Sequence, residues 1–563
     1  MSTMPVTYEL LWQASPPAWR QSAAAWRELA ASGARRALEL ASGAVALAAA
    51  WSGAGADAAV SRLRRLRDEL EAGRLAQLET AGILVEYAAA IETAKARLAA
   101  AVRAAETAGL AVDRSGLVVA AGPVPGSLAV GAASPDGMAT PTGLPDSARA
   151  VAGEIEAALA AARVADTEAA TRLGELSRAA DSGWESTPPG YRPGPAATPA
   201  ANRAWWDSLT PAQRRWLLRH EPTLTGGLDG LPVAARDLAN RVLLDLALEA
   251  ARLGLPVDGF RSGGPSTGVS LSSADLRGGL PAGSAYARDP ALIASLERLA
   301  DQVSPGTEPP RYLVRFDPSR DGRAVVAVGD PDRSEAVVTC VPGMTSDLAS
   351  FGGELDRAAR VAEHATELDP ARRTAAVLWL DYDAPDFVVE AASEQQARDA
   401  APALHRFQEG LRAGHEGEPA RQTVLGHSYG SLVAGVTARD HGLDADGLVL
   451  LASPGAGVSH AADLGLPEVW AGTSITDPIQ RVPVSPISAL TDAVVASGVP
   501  GLGPALAFGQ PEDGLWLGRN PADPDFGARV FATEADAGHL GYWDRGGTAL
   551  DTLSRITLGL GPS

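Results

Sequence analysis

Gly426-His427-Ser428-Tyr429-Gly430 sets a serine between two glycines at the G-x-S-x-G spacing of a nucleophile elbow. A serine on a tight strand-to-helix turn has strained backbone angles, tolerated only where nothing bulky stands two residues to either side. The two glycines leave that room. The N-terminus of the helix that follows aims amide dipoles at the oxyanion formed by attack on a carbonyl. The serine then needs a base, and the base needs an orienting acid. On an elbow of this kind the chain order is Ser, acid, His. Three of the eight histidines follow Ser428. His441 ends the helix after the elbow, where a histidine caps carbonyls. His460 comes too early to leave room for the acid. His539, in Ala537-Gly538-His539-Leu540, follows the last strand and is the predicted base.

The acid belongs after the penultimate strand, Val469-Trp470-Ala471-Gly472, and Asp477 stands there. A plainer reading has Asp477 only opening an Asp-Pro turn. Asp463 and Asp492 are alternatives, and Asp536 is expected to shape the loop before His539. The predicted oxyanion donors are the N–H of Tyr429, next to the nucleophile, and that of Met344 in Cys340-Val341-Pro342-Gly343-Met344. Cys340 itself reads as buried filler. A second match, Gly264-Pro265-Ser266-Thr267-Gly268, shows how weak the pattern is alone, since roughly 0.4 chance matches are expected in such a chain. Ser266 has neither a strand before it nor a periodic helix after it.

Three kinds of segment must position these residues. From about Pro17 to Ala50, Asp57 to Gly109 and Ser147 to Ala180 the chain is rich in Ala, Leu, Arg and Glu, which predicts long helices in a bundle or hairpin. The first two are separated at Trp51-Ser52-Gly53. Residues 112–146 read as a short hairpin and linker, and residues 183–200 as a Pro/Gly linker. Residues 201–310 are helices and loops expected to pack on the domain that follows. From residue 311 to 563, short β-branched runs alternate with helices, which predicts an α/β sheet with crossover helices. The division is therefore 1–182 helical, 183–200 linker, 201–310 accessory and 311–563 catalytic.

Composition removes other chemistries. Among 563 residues, Lys95 is the one lysine, which excludes a Walker phosphate loop and makes a Schiff base improbable. One cysteine excludes an internal disulfide, a CxxC pair and a multi-cysteine zinc site. No histidine pair has metal-ligand spacing, so neither metal nor cofactor is expected. A net charge of −20 argues against nucleic acid. Leu40 to Ala56, the most apolar window, is too short and Ala/Gly-rich to span a membrane. The N-terminus lacks the basic and apolar regions of a Sec signal, so the expected location is cytoplasmic or outside the cell by a non-Sec route.

The ordered elements Pro342-Gly343-Met344, Trp379-Leu380-Asp381-Tyr382-Asp383-Ala384-Pro385, Gly426-His427-Ser428-Tyr429-Gly430-Ser431, Ser453-Pro454-Gly455, Trp470-Ala471-Gly472 with Asp477-Pro478, Phe526-Gly527-Ala528-Arg529-Val530-Phe531 and Gly538-His539 carry a resemblance. Together with Ala204-Trp205-Trp206 through Asn240-Arg241, they resemble an actinobacterial α/β-hydrolase family long classed as a domain of unknown function. The resemblance covers roughly residues 200–563 and implies the α/β-hydrolase fold with serine hydrolysis. Asp381 departs from it, standing where a small residue is expected, with a carboxylate able to repel anionic substrates or contact polar ones. The helical half resembles the WXG-type hairpins exported by type VII secretion, through Trp51-Ser52-Gly53 and its flanking helices. Tyr87 and Glu92 stand one residue out of register with the export pattern of those proteins.

These readings converge on a serine hydrolase that cleaves carboxylic esters, esterase- or lipase-like, through an acyl-enzyme on Ser428. Its expected partners are a small or lipid-like ester and a helical protein bound by residues 1–182. The rival readings are a secretion-associated interaction protein and an exported, toxin-like lipase with the helices as targeting module. The apolar stretch 484–510, between acid and base, reads either as a lid over an acyl pocket or as a core helix.

Overall fold

The computed structural model describes residues 6–120, 146–182, 187–263, 288–304, 307–481, 514–515 and 517–561. Ser266, Asp492 and the stretch 484–510 lie outside them. The chain forms two compact units, Met1–Leu29 with Ala76–Asp181 and Ala30–Leu75 with Ser182–Ser563.

The helical elements are α1 (Tyr8–Gln13), α2 (Pro16–Ala50), α3 (Ala54–Thr107), the short hairpin β1 (Leu110–Val112) and β2 (Val118–Ala120), and α4 (Asp146–Asp181). The buried residues of α2 recur every seven residues at Pro16, Ala23, Ala30, Ala37 and Ala44. That is the 3.5-residue period of a supercoiled seam. Alanine at every step after Pro16 keeps the seam thin. Within the first unit, Ala23 packs on Ala81 and Val85 of α3. Ile91 and Leu98 of α3 share a core with Val118 of β2 and with Val151, Ile155 and Leu159 of α4. Tyr87 sits edge-on to Trp19 at 4.9 Å, and its hydroxyl donates to Asp166 at 3.3 Å. Glu92 pairs with Arg20. Tyr87 and Glu92 are thus both engaged inside this unit.

In the second unit, α5 (Pro199–Ser208), α6 (Pro211–His220), α7 (Pro222–Gly227), α8 (Val233–Leu253) and α9 (Pro290–Gln302) precede the sheet. Thr210 and Gln213 close a capping box on α6, with Pro211 as its first residue. The strands are β3 (Arg311–Asp317), β4 (Arg323–Val328), β5 (Ala336–Val341), β6 (Thr374–Leu380), β7 (Arg421–His427), β8 (Gly447–Leu451), β9 (Val469–Gly472), the small pair β10 (Gly514–Leu515) and β11 (Gly518–Arg519), and β12 (Arg529–Val530). Their helices are α10 (Phe351–Leu368), the single turn α11 (Val388–Ala391), α12 (Gln395–Gly414), α13 (Tyr429–His441) and α14 (Thr548–Leu558).

Eight strands make one sheet in the order β12-β9-β8-β7-β5-β6-β4-β3. From β12 to β6 every neighbour is parallel. The α/β-hydrolase fold expected from the sequence is the fold observed. The alternation rule fails only at the start, where β3, β4 and β6 pair antiparallel. The turn between β3 and β4 is too short for a crossover helix, so the second strand must fold straight back. The central strands are apolar on both faces: β5 is buried throughout, and β7 is buried at all but its first residue. The polypeptide leaves β7 at the C-terminal edge of this sheet, where parallel α/β sheets carry their sites.

Candidate active site

Ser428 is the last residue before α13 and holds φ 53° and ψ −127°. Such a conformation costs a non-glycine residue roughly 1–3 kcal/mol and persists only when its surroundings enforce it. Here they do. A Cβ on Gly430 would lie 2.1 Å from the Val341 carbonyl oxygen, and one on Gly426 would lie 2.5 Å from Ser431 Cα. The elbow can close only because both positions lack side chains. Ser431 Oγ donates to the Ser428 carbonyl at 2.6 Å and is 2.6 Å from Ser453 Oγ, which ties the turn to the end of β8.

The loop after β5 comes directly against the serine. A Cβ on Gly343 would meet Ser428 Cβ at 2.8 Å and Ser428 Oγ at 3.2 Å. Tyr382, stacked on Trp379 at 6.0 Å, donates its hydroxyl to the Pro342 carbonyl at 2.6 Å and so holds this loop. Thr345, at φ 61°, donates its N–H to Pro385 at 2.8 Å. Among the described residues, no protein acceptor takes the N–H of Met344 or of Tyr429.

Asp477 and His539, 62 residues apart, meet: Nδ1 lies 2.9 Å from Oδ1 and 3.0 Å from Oδ2. The carboxylate is fully buried, while the imidazole is 31% exposed, so one ring nitrogen is fixed and the other edge faces outward. The plainer reading of Asp477 holds as well, because Oδ1 accepts the Ile479 N–H at 2.9 Å and closes an Asp-Pro turn. The Asp477 and His539 loops are stitched together by Ser474 Oγ on the Glu534 carbonyl at 2.8 Å and Thr476 Oγ1 on that of Ala535 at 2.7 Å. Among the described residues, no hydrogen bond joins Ser428 Oγ to His539. Contacts of this kind commonly tighten only in the complex with substrate.

Two further residues that the sequence did not single out contact the Asp477–His539 pair. His427 Nε2 lies 3.0 Å from the His539 carbonyl, with the rings 4.8 Å apart. A carbonyl can only accept, so Nε2 carries the proton. Burial pushes the His427 imidazole down to about 3, and the ring is neutral at ordinary pH. Tyr542 donates to Asp477 Oδ2 at 2.6 Å. Neither role has a local signature.

The other candidates stand apart. His441 is exposed at the end of α13, and His460 is exposed, with Asp463 Oδ2 3.8 Å from its Nδ1. Asp536 is exposed on the loop. The Asp381 carboxylate is paired with Arg315, Nε to Oδ2 at 2.7 Å, an internal partner that the sequence pattern did not indicate. Cys340 is buried, and burial pushes its thiol up to about 12. Among the described residues, no group of three or more His, Cys, Asp or Glu is placed to hold a metal ion, and no helix is long and apolar enough to cross a membrane.

Residues 317–487 match the family described as alpha/beta hydrolase, a span that contains the elbow and Asp477. The uncharacterized protein Rv2079 of Mycobacterium tuberculosis is 31% identical over 381 residues, which cover 63% of this chain and 55% of the relative. The chain thus spans about half the length of that relative. The uncharacterized proteins Mb0988c of Mycobacterium bovis and Rv0963c of Mycobacterium tuberculosis are each 35% identical over 186 residues, covering 31% of this chain and 68% of the relative. With more than two thirds of these relatives matched, and with the sheet, elbow and loop order described above, the chain belongs to the alpha/beta hydrolase family.

Proposed function

We propose that the protein is a serine hydrolase that cleaves carboxylic esters of apolar, lipid-like acids. Ser428 Oγ attacks the carbonyl as His539 takes its proton, and Asp477 orients the imidazole and stabilises its charged form. The Met344 and Tyr429 N–H groups receive the oxyanion. His539 then returns the proton to the leaving alcohol, and water repeats the sequence on the acyl-enzyme. The observation that carries this reading is a buried carboxylate 2.9 Å from the Nδ1 of His539, whose backbone carbonyl is held by His427, the residue before a strained Ser428. An apolar substrate is favoured by the large exposed residues beside these groups: Ile475 at 64%, next to the acid turn, and Leu540 at 53%, next to the base. Fluorophosphonate labelling and hydrolysis of p-nitrophenyl esters test the reading. Wild type should label and turn over, and Ser428→Ala should do neither. Labelling that survives the substitution rules it out.

A second role for the helical region is favoured by Trp51, half exposed in the break between α2 and α3, and by Trp12 and Trp26 at 47% and 40% exposure. These aromatics suit a helical protein partner or an export apparatus, with the hydrolase as its cargo. Replacing Trp51 with Ala in the full chain should weaken capture of such a partner and leave ester hydrolysis intact. Equal capture by both proteins counts against this role.

A further inference from the structure

The Asp477 carboxylate is wholly buried and meets three donors. His539 Nδ1 approaches both oxygens, the Ile479 N–H takes Oδ1, and the Tyr542 hydroxyl takes Oδ2 at 2.6 Å, the shortest of the four contacts. The Tyr542 oxygen in turn accepts the Ser474 N–H at 2.9 Å. Its lone pair is thereby engaged, and its single proton is left for the carboxylate. The ring is fully buried, set edge-on to His427 at 6.4 Å and to Trp543 at 6.1 Å. A phenol held this way cannot rotate off its acceptor. Burial and the neighbouring carboxylate push its ionisation well above the usual phenol range, so it stays a donor.

We propose that Tyr542 is a positioning residue of this site, an inference that rests on the serine-hydrolase reading: by sharing the Asp477 carboxylate with His539, its hydroxyl limits how strongly that carboxylate stabilises the imidazolium. A carboxylate whose charge is partly met by a short phenolic hydrogen bond has less to offer the base. The imidazolium that forms as His539 takes the Ser428 proton therefore draws less from Asp477 than it would from a carboxylate with no second side-chain donor. The same bond fixes the carboxylate plane so that both oxygens face Nδ1.

Other titratable or charged groups among the described residues lie near the pair. His427 on β7 is neutral and faces the His539 backbone. Arg357 of α10 lies over the Trp543 ring at 5.4 Å and is paired with Glu354. Arg360 donates to the Trp543 carbonyl at 3.4 Å. The Glu534 carboxylate is turned to the N–H groups of Thr548 and Ala549. Among the described residues, none of these hydrogen-bonds the Asp477 oxygens.

The test is an NMR titration of the His539 imidazole in the full chain, assigned through His539→Gln, for wild type and Tyr542→Phe. Loss of one hydrogen bond to a charged group should raise the His539 pKa by about one unit. Incorporation of 3-fluorotyrosine at position 542, a stronger donor, should move it the opposite way, and this arm holds even if Tyr542→Phe fails to fold. In turnover, the acidic limb of kcat/KM for Tyr542→Phe should shift to higher pH by the same amount. A purely structural tyrosine would lower activity without moving either titration, and an unmoved His539 overturns the proposal. The titration needs no turnover. Loss of Ser428-dependent labelling therefore defeats the hydrolase reading alone, and an unmoved His539 with labelling intact defeats the tyrosine role alone.

Discussion

Around the elbow, β5, β7 and α13 approach so closely that neither Gly426 nor Gly430 has space for a methyl group, whereas along α4 a Cβ on Gly153 would meet nothing within 4 Å. The cores differ in the same way. Six of the thirteen residues in the main core of the helical unit are alanines, so each buries little area and the helices must be long to accumulate it. The hydrolase core instead includes Trp379, Phe316, Phe351, Phe407 and Tyr542, large side chains among the most buried in the chain. The helical unit gains stability by many small, repeated contacts. The hydrolase gains it by a few large ones, and part of it is spent holding Ser428 at a positive φ.

Gly430→Ala should break the comparison on the hydrolase side with the largest effect. Inside an ordinary helix the change would stabilise, but here the new methyl meets the Val341 and Pro342 carbonyl oxygens at 2.1 and 2.6 Å. The backbone of α13 or of the loop after β5 must move. We expect a loss of about 3 kcal/mol or more in the hydrolase unfolding transition, read by urea denaturation, and loss of fluorophosphonate labelling at Ser428. A variant of unchanged stability would mean that the strand and helix are not packed this tightly in solution.

The second effect is a pH dependence confined to the sheet. Burial, foremost, and the nearby His539 hold His427 down to about 3, against an ordinary value near 6.5. The unfolded chain therefore binds a proton below pH 6.5 that the folded one refuses until about pH 3. Stability from this group is present above 6.5 and falls as pH drops through that window. Between pH 7 and pH 5 the loss is about 2 kcal/mol. His427→Gln keeps an N–H for the His539 carbonyl and removes the titration. Its stability relative to wild type should improve by about 2 kcal/mol over the same interval, measured as urea midpoints at both pH values. Parallel curves for the two proteins would contradict a buried neutral imidazole.

How much of this was legible in the residues divides along the same line. Strands such as Val337–Val341 and Thr374–Leu380 could be read because doubly covered parallel strands are unbroken apolar runs between Asp/Gly turns. Ser428, Asp477 and His539 came from an elbow pattern, a fixed chain order and a short supply of histidines. The helix hairpin was visible from composition, yet the seven-residue alanine seam on α2 was not, because alanine fills both seam and surface there. What stayed hidden depends on distant partners. His427 meets a carbonyl 112 residues away, Tyr542 a carboxylate 65 residues back, and Asp381 an arginine on the edge strand. No local pattern encodes such pairings, because they exist only once the sheet has set its strand order.

Gly153→Ala should sharpen the comparison with the smallest effect and the opposite sign. Gly153 is exposed in the interior of α4, at a helical φ, with open space where the methyl would stand. The substitution removes backbone freedom from the unfolded chain and clashes with nothing. It should stabilise the helical unit by about 0.5–1 kcal/mol, seen as a rise in the helical unfolding midpoint by circular dichroism. Ester hydrolysis and the midpoint of the hydrolase transition should stay where they are. One methyl on a glycine would then raise stability in the helical unit and lower it at the elbow, which is the expected result if open repetition governs the first region and close backbone approach the second. A loss of helical stability in Gly153→Ala would mean that this face of α4 is covered in the folded protein.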